Sequence, residues 1–411
     1  MSASPAAPAQ LRAVSRLLPA AVDLVAAIPV PTGTLSFVQD GQGLVGWGEH
    51  TRLVASGPDA AAQIQRWFDS VVADLAVTDE VSLPGSGPIA FVSLGFDDRD
   101  EAVAVVPAVI LGMRDGVAFS TVIGDPGLTD QVEVGTPGRV TYSDGSLSVA
   151  GFTSAVAIAT ARIRAGAGSP LALQKVVLAH DLEATTERDV DERHLLRQLS
   201  AAYPSCWTYS VDGLVGASPE MLMRRVDGAI TSRVLAGTRW AEHAGDQVAA
   251  ELMVSGKDLS EHSFAVDSVA AVLRGVVSEL DVPAGPHPLP LANLTHLATD
   301  ITGRMSAGGP SALELAAMLH PTAAVGGTPT ELARALIREL EPAPRGRYAA
   351  PVGWLDASGD GEFAIALRCA TVSGRHVRMI AGCGIVADSD PGTEAREAQV
   401  KMIPIRDALE S

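Results

Sequence analysis

Residues 361–386 constrain the chain most. They read as two strands, 361–372 and 376–386, joined by Ser373-Gly374-Arg375, a hairpin turn. Strands joined by so short a turn must pair antiparallel, because parallel neighbours need a long crossover. Further strands are expected at 174–180, 207–216 and 229–236, and helices at 150–166, 189–202, 244–280, 311–319 and 328–341. No strict alternation of strand and helix runs through these segments. That argues against a doubly wound parallel sheet and for an α+β architecture.

The 411 residues are 47% hydrophobic and 19% charged, enough apolar side chain for a sizeable core. Residues 1–15 read as a disordered tail. Residues 16–148 read as a structural half, β-rich and broken by turns such as Pro84-Gly85-Ser86-Gly87-Pro88, with one helix near 60–75. Residues 149–411 carry the candidate chemistry. A net charge of −18 disfavours nucleic acid or an anionic membrane as partner, so an anionic ligand would need positive charge gathered locally. The longest nearly apolar run, Ala102 to Met113, is 12 residues and contains Pro107, whereas a membrane span needs about 20. The first ten residues lack the pattern of a secretory signal. Cys206, Cys369 and Cys383 leave one thiol over in any disulfide scheme and none lies in a CxxC. A cytoplasmic protein is the expectation.

Alternation along the hairpin turns Phe363, Ile365 and Leu367 to one side and Ala364, Ala366, Arg368 and Ala370 to the other. Gly382 and Gly384 share one face of the second strand. Symmetric pairing would make a shallow floor of Ala and Gly with one arginine rising from it, a seat for a planar carboxylate. A helix packed on a small-residue face, with Arg368 turned outward, fits the same pattern.

Asp390-Pro391 is a helix start, an acidic cap followed by proline at the first helical position. The helix places Glu394, Glu397 and Lys401 on one face, beside an apolar stripe of Ala398, Met402, Ile405 and Leu409. A helix beginning near Lys257-Asp258 carries Asp258 and Glu261 at the same i, i+3 spacing, with Ala265, Val269, Val272 and Val276 as its buried stripe. Four carboxylates from two helices suit a hard divalent cation such as Mg²⁺. Two solvated acidic faces would give the same spacing. Lys175 opens the apolar run Lys175-Val176-Val177-Leu178-Ala179, and Glu220 follows Ser218-Pro219. A desolvated lysine and a carboxylic acid make an acid/base couple if they flank one substrate, although nothing in their spacing brings them together. His296 and His320 have no second histidine at ligand spacing and read as polar core or rim.

Nine blocks, taken in order, resemble the chorismate-utilising enzymes, and among them the isochorismate synthases of menaquinone and siderophore pathways. They are LQKVVLAHDL (173–182), GASPEMLMRR (216–225), LAGTRW (235–240), AELMVSGKDLSEHSFAVDSV (250–269), THLATDITG (295–303), LHPTAAVGGTP (319–329), RGRYAAPVGW (345–354), GDGEFAIALRCA (359–370) and AGCGIVADSDPGTEAREAQVKM (381–402). The resemblance covers about the last 260 residues and is loose before them. It implies two large antiparallel sheets packed together with flanking helices. By resemblance, Lys175 activates water for attack at C2 of chorismate and Glu220 is the acid for the departing C4 hydroxyl. Glu261 and Glu397 match direct Mg²⁺ ligands, and Asp258 and Glu394 match outer carboxylates. Tyr348 and Arg368 match the clamp on the enolpyruvyl carboxylate. Gly237, Thr238, His296, Ala324, Gly382, Gly384 and Lys401 match other substrate contacts.

Relatives that add ammonia resemble one another in having Gln where Lys175 stands, so lysine points to water as nucleophile. Salicylate synthases, the nearest alternative, typically carry Thr at Ala324. This chain departs from the pattern at His180, where Arg is usual, and at Ala349, where Gly commonly follows the tyrosine. Chorismate and Mg²⁺ are the implied partners of a monomer that binds neither nucleic acid nor membrane.

Overall fold

Pro107 lies inside the strand Ala102–Arg114 and has no amide N–H to donate to a ladder. That strand pairs along its length with Gln42–Ala55, and the register shifts between Glu49 and Thr51, opposite Pro107. A bulge bends and twists the ladder locally. Its two ends accordingly feed different sets of strands. In this computed structural model, residues 10–127, 129–169, 171–240, 246–290, 294–306 and 308–411 are described.

From one end, Ala102–Arg114 pairs with Ile89–Ser93, followed in order by Pro351–Asp356, Gly361–Ile365, Met221–Val226, Ala229–Trp240 and Leu294–Arg304. From the other end, Gln42–Ala55 pairs with Leu35–Gln39, followed by Trp207–Val211, Leu214–Ser218, Cys369–Ser373, His376–Ile385 and Lys175–Thr186. All these pairs are antiparallel. The expected α+β class, antiparallel sheet with flanking helices, therefore describes the molecule, but the two expected sheets are two arms of one continuous sheet joined at the Pro107 ladder. The larger core cluster holds residues of both arms, including Phe91, Trp354 and Phe363 from one and Val176, Leu178 and Tyr209 from the other. None of the described helices is long and apolar enough to cross a membrane.

Several sequence boundaries change. Of the tail expected over 1–15, residues 1–9 lie outside the described residues, and Leu11 already opens the strand Leu11–Leu17, which pairs parallel with Leu75–Asp79 and antiparallel with Val117–Ile123. The strand expected at 207–216 is a hairpin turning at Asp212-Gly213, both with positive φ. The long helix expected at 244–280 is two helices, Asp246–Val254 and Gly256–Leu273, divided where Ser255 caps the second by accepting from the Asp258 amide. Val276 of the expected stripe lies beyond that helix.

The principal correction concerns 361–372, which is not one strand. Gly361–Ile365 belongs to the first arm and Cys369–Ser373 to the second. Arg368 turns the corner between them in a left-handed conformation, φ 50°. The small-residue floor expected from symmetric pairing does not form, because the hairpin ladder ends at Cys369 and Ile380, before it reaches Gly382 and Gly384.

Candidate active site

The floor of the cleft is the ladder between His376–Ile385 and Lys175–Thr186. A Cβ on Gly384 would fall 2.1 Å from Glu261 Oε1 and 2.9 Å from Lys175 Cε, so this glycine makes the room in which those two side chains meet. Lys175 is wholly buried, and its Nζ lies 3.1 Å from Glu261 Oε1. A Cβ on Gly382 would meet the Leu178 carbonyl oxygen at 2.2 Å, close backbone approach of the kind that excludes a side chain.

Helix Pro391–Val400 forms one wall. Asp390 caps it as expected, accepting from the Thr393 amide at 2.9 Å, with Pro391 at the helix start. Glu394, Glu397 and Lys401 then face the cleft. Lys401 Nζ lies 2.6 Å from Glu397 and donates to the Gly382 carbonyl at 2.9 Å. The apolar stripe Ala398, Met402, Ile405 and Leu409 is buried, although the helix breaks at Lys401 and a second, Ile403–Glu410, carries its last two members. Helix Gly256–Leu273 packs on the strand Ala229–Trp240 and delivers Asp258 and Glu261 from the facing side.

Gly237 bends that strand with φ +79°, opening a register shift between Ala236 and Thr238. Its carbonyl lies 3.3 Å from His296 Nδ1 on the neighbouring strand. Burial, with the charges of Arg368 and Lys401, pushes the His296 imidazole down to about 3, so it is neutral at physiological pH. Glu220, 5% exposed, shows the opposite effect. Desolvation pushes its carboxyl up to about 8, against a main-chain hydrogen bond from Leu235 and the charges of Lys175, Arg368 and Lys401. Burial likewise raises Tyr348 to about 12 and lowers Arg368. Lys401 is raised, because Glu397 and other neighbours outweigh the effect of burial.

These residues enclose a cleft of about 590 Å³. Glu220, Gly237, His296, Ala324, Tyr348, Arg368, Gly382, Gly384, Lys401, Asp258, Glu261, Glu394 and Glu397 all line it. Lys175 does not line it and reaches it through Glu261. The side chain of Thr238 lies outside the described residues. His320 stands apart, its Nε2 3.0 Å from the Phe96 carbonyl oxygen. Ala349, buried beside Tyr348, has φ 62°, which explains why glycine suits that position. His180 is buried against Phe152, ring centroids 4.9 Å apart.

Sequence reasoning missed Cys383, Ser255, Thr393 and Arg396 on the cleft wall. For Cys383 the signal was present, since it stands between the two floor glycines. Its Sγ lies within 4.8 Å of carboxylate oxygens of Glu394 and Glu397.

The family model of the chorismate binding enzymes matches residues 131–410. Isochorismate synthase DhbC of Bacillus subtilis (strain 168) is 40% identical over 245 residues, 56% of this chain and 61% of that protein. Isochorismate synthase EntC of Escherichia coli (strain K12) is 39% identical over 238 residues, again 56% and 61%. The match thus spans less than two thirds of either relative. Among solved structures, MenF, the menaquinone-specific isochorismate synthase of Escherichia coli, shares the fold with a TM-score of 0.77 at 24% identity, over 97% of this chain and 94% of that one.

Proposed function

The chain belongs to the chorismate binding enzymes, and we propose that it is an isochorismate synthase, converting chorismate to isochorismate by adding water at C2 and releasing the C4 hydroxyl. The observation that carries this reading is a buried acid, Glu220, lining a cleft in which Glu261 is held by the buried Lys175. Glu220 is protonated below about pH 8, and Lys175 is near enough for its charge to act on it. In the proposed reaction Lys175 takes a proton from the water attacking C2. The ring double bonds shift, the C4–O bond breaks, and the Glu220 proton leaves with the hydroxyl as water. The step ends with Lys175 protonated and Glu220 ionised, the pair from which the reverse reaction runs. Arg368 and Tyr348 hold the enolpyruvyl carboxylate, and Lys401 adds positive charge that the acidic protein otherwise lacks. Gly237, Thr238, His296, Ala324, Gly382 and Gly384 complete the proposed substrate contacts.

Mg²⁺ fits the donor set. Glu394 and Glu397 bring carboxylate oxygens together beside Cys383, and Asp258 and Glu261 line the same cleft. Hard oxygen donors are what this ion prefers. Glu261 and Glu397 would hold it, with Asp258 and Glu394 behind them. When bound, the ion supplies positive charge for the ring carboxylate of the substrate.

Chromatography after long incubation with chorismate and Mg²⁺ near neutral pH tests the reading. One allylic alcohol replaces another, so the isomers should lie within about 1.4 kcal/mol, tenfold in ratio, and be reached from either side. A stoichiometric rise of salicylate and pyruvate would overturn it in favour of a salicylate synthase.

A further inference from the structure

Each helix that brings carboxylates to the cleft has one of them already held by a lysine. Lys175 Nζ lies 3.1 Å from Glu261, and Lys401 Nζ lies 2.6 Å from Glu397. The two lysines come from different elements, the start of a strand and the end of a helix. The Lys175 side chain is 0% exposed and that of Lys401 12%. Gly384, by lacking a Cβ, permits the first pair. The Gly382 carbonyl orients the second.

Four acidic side chains around one cleft repel one another unless positive charge lies among them. The lysines supply it at the same carboxylates assigned to the metal. A carboxylate oxygen in a close, largely desolvated pair must leave its partner before it can bind an ion. Resting on the cleft reading above, we propose that Lys175 and Lys401 are internal counter-cations that compete with the divalent ion for Glu261 and Glu397. The ion enters by displacing both lysines; Lys401 then faces the anionic substrate, and Lys175, released from Glu261, becomes available to the attacking water. Metal and substrate thereby favour one another's binding, as any shared linkage requires.

The test is Mn²⁺ binding to the chorismate-free protein, read from the electron paramagnetic resonance signal of free Mn²⁺. Lys401→Met and Lys175→Met should each tighten binding at least about tenfold, as expected for removing a close, buried competitor. Arg396→Met removes the same charge from the cleft wall. Arg396 donates to Thr393 Oγ1 rather than pairing with a ligand carboxylate, and its loss should change binding less than about threefold. Glu397→Gln should weaken binding in every background, which places the ion. Circular dichroism confirms folding, and the two lysine variants probe separate pairs, so the loss of one leaves the other informative. Wild-type binding with unchanged or weaker affinity in the lysine variants would overturn the competition and leave the metal site standing. Equal tightening in Arg396→Met would overturn it too, as would binding that Glu397→Gln leaves unchanged. Absence of binding in wild type and both lysine variants would overturn the metal site as well.

Discussion

Glu220→Gln isolates the buried acid. The carboxyl is raised from 4.5 to about 8, a difference of about 3.5 units. At 1.36 kcal/mol per unit this is on the order of 5 kcal/mol of preference for the neutral form in the folded protein. The folded state therefore binds this proton more tightly than the unfolded state. Its stabilising contribution is complete below about pH 4.5 and is lost as pH rises towards about 8. Glutamine is neutral throughout and has no such dependence. Thermal or urea unfolding of wild type and variant between pH 5 and 9 should show wild type losing several kcal/mol relative to Glu220→Gln. Activity follows the same proton. In wild type, kcat/KM should fall as pH rises through about 8, because that ratio reports ionisations of the free enzyme. The variant should lose about 10²–10⁴-fold, the usual worth of a positioned proton donor. A flat stability difference over this range, or near-normal turnover in the variant, would refute the assignment of Glu220 as a buried acid.

Glu261→Gln and Glu397→Gln should each raise the Mg²⁺ concentration needed for half-maximal turnover by at least about tenfold, with smaller effects from Asp258→Asn and Glu394→Gln, as ligands exceed their supporting groups. EDTA should stop the reaction and Mg²⁺ restore it; full turnover after exhaustive chelation would remove the ion from the site. Ala349→Gly should stabilise the fold by up to about 1 kcal/mol, since Ala349 holds φ 62° and a left-handed alanine is strained relative to glycine. A lower melting temperature would show that the gain in unfolded-chain entropy of glycine outweighs that strain.

Local chemistry made parts of this site legible. The Asp390-Pro391 start fixes the phase of its helix, and the phase turns Glu394, Glu397 and Lys401 together towards the cleft. The Ser255 cap does the same for Asp258 and Glu261, although the boundary itself was hidden inside an uninterrupted helical pattern. Arg368 was legible as a residue but not as a geometry. Strand alternation assigns it a face only if the strand continues, whereas φ 50° at Arg368 ends that continuity and moves Cys369 to the other arm. Which strands Pro107 would send apart was likewise a matter of distant partners, not of its neighbours in sequence.

The placement of Lys175 shows why the remainder was not legible. Its strand carries no capping signal and has no fixed partner in sequence, yet its position is over-determined. Buried Arg345 donates to the carbonyls of Val177 at 2.8 Å and Val325 at 2.9 Å, tying the lysine strand to the segment bearing Ala324. Glu341 pairs with Arg345 and accepts the Ala179 amide at 2.9 Å, so the same ion pair holds that strand at a second point. Six residues after Lys175, Asp181 accepts from Arg378 at 2.9 Å, across the ladder that carries Gly382 and Gly384. Neither Arg345 nor Glu341 touches the cleft. A buried arginine with both faces of its fork occupied is rigid in a way that a surface one is not. The proposed acid/base couple could therefore work across a cleft built from strands far apart in sequence, because a separate buried pair fixes the spacing that the residues of the cleft cannot set for themselves.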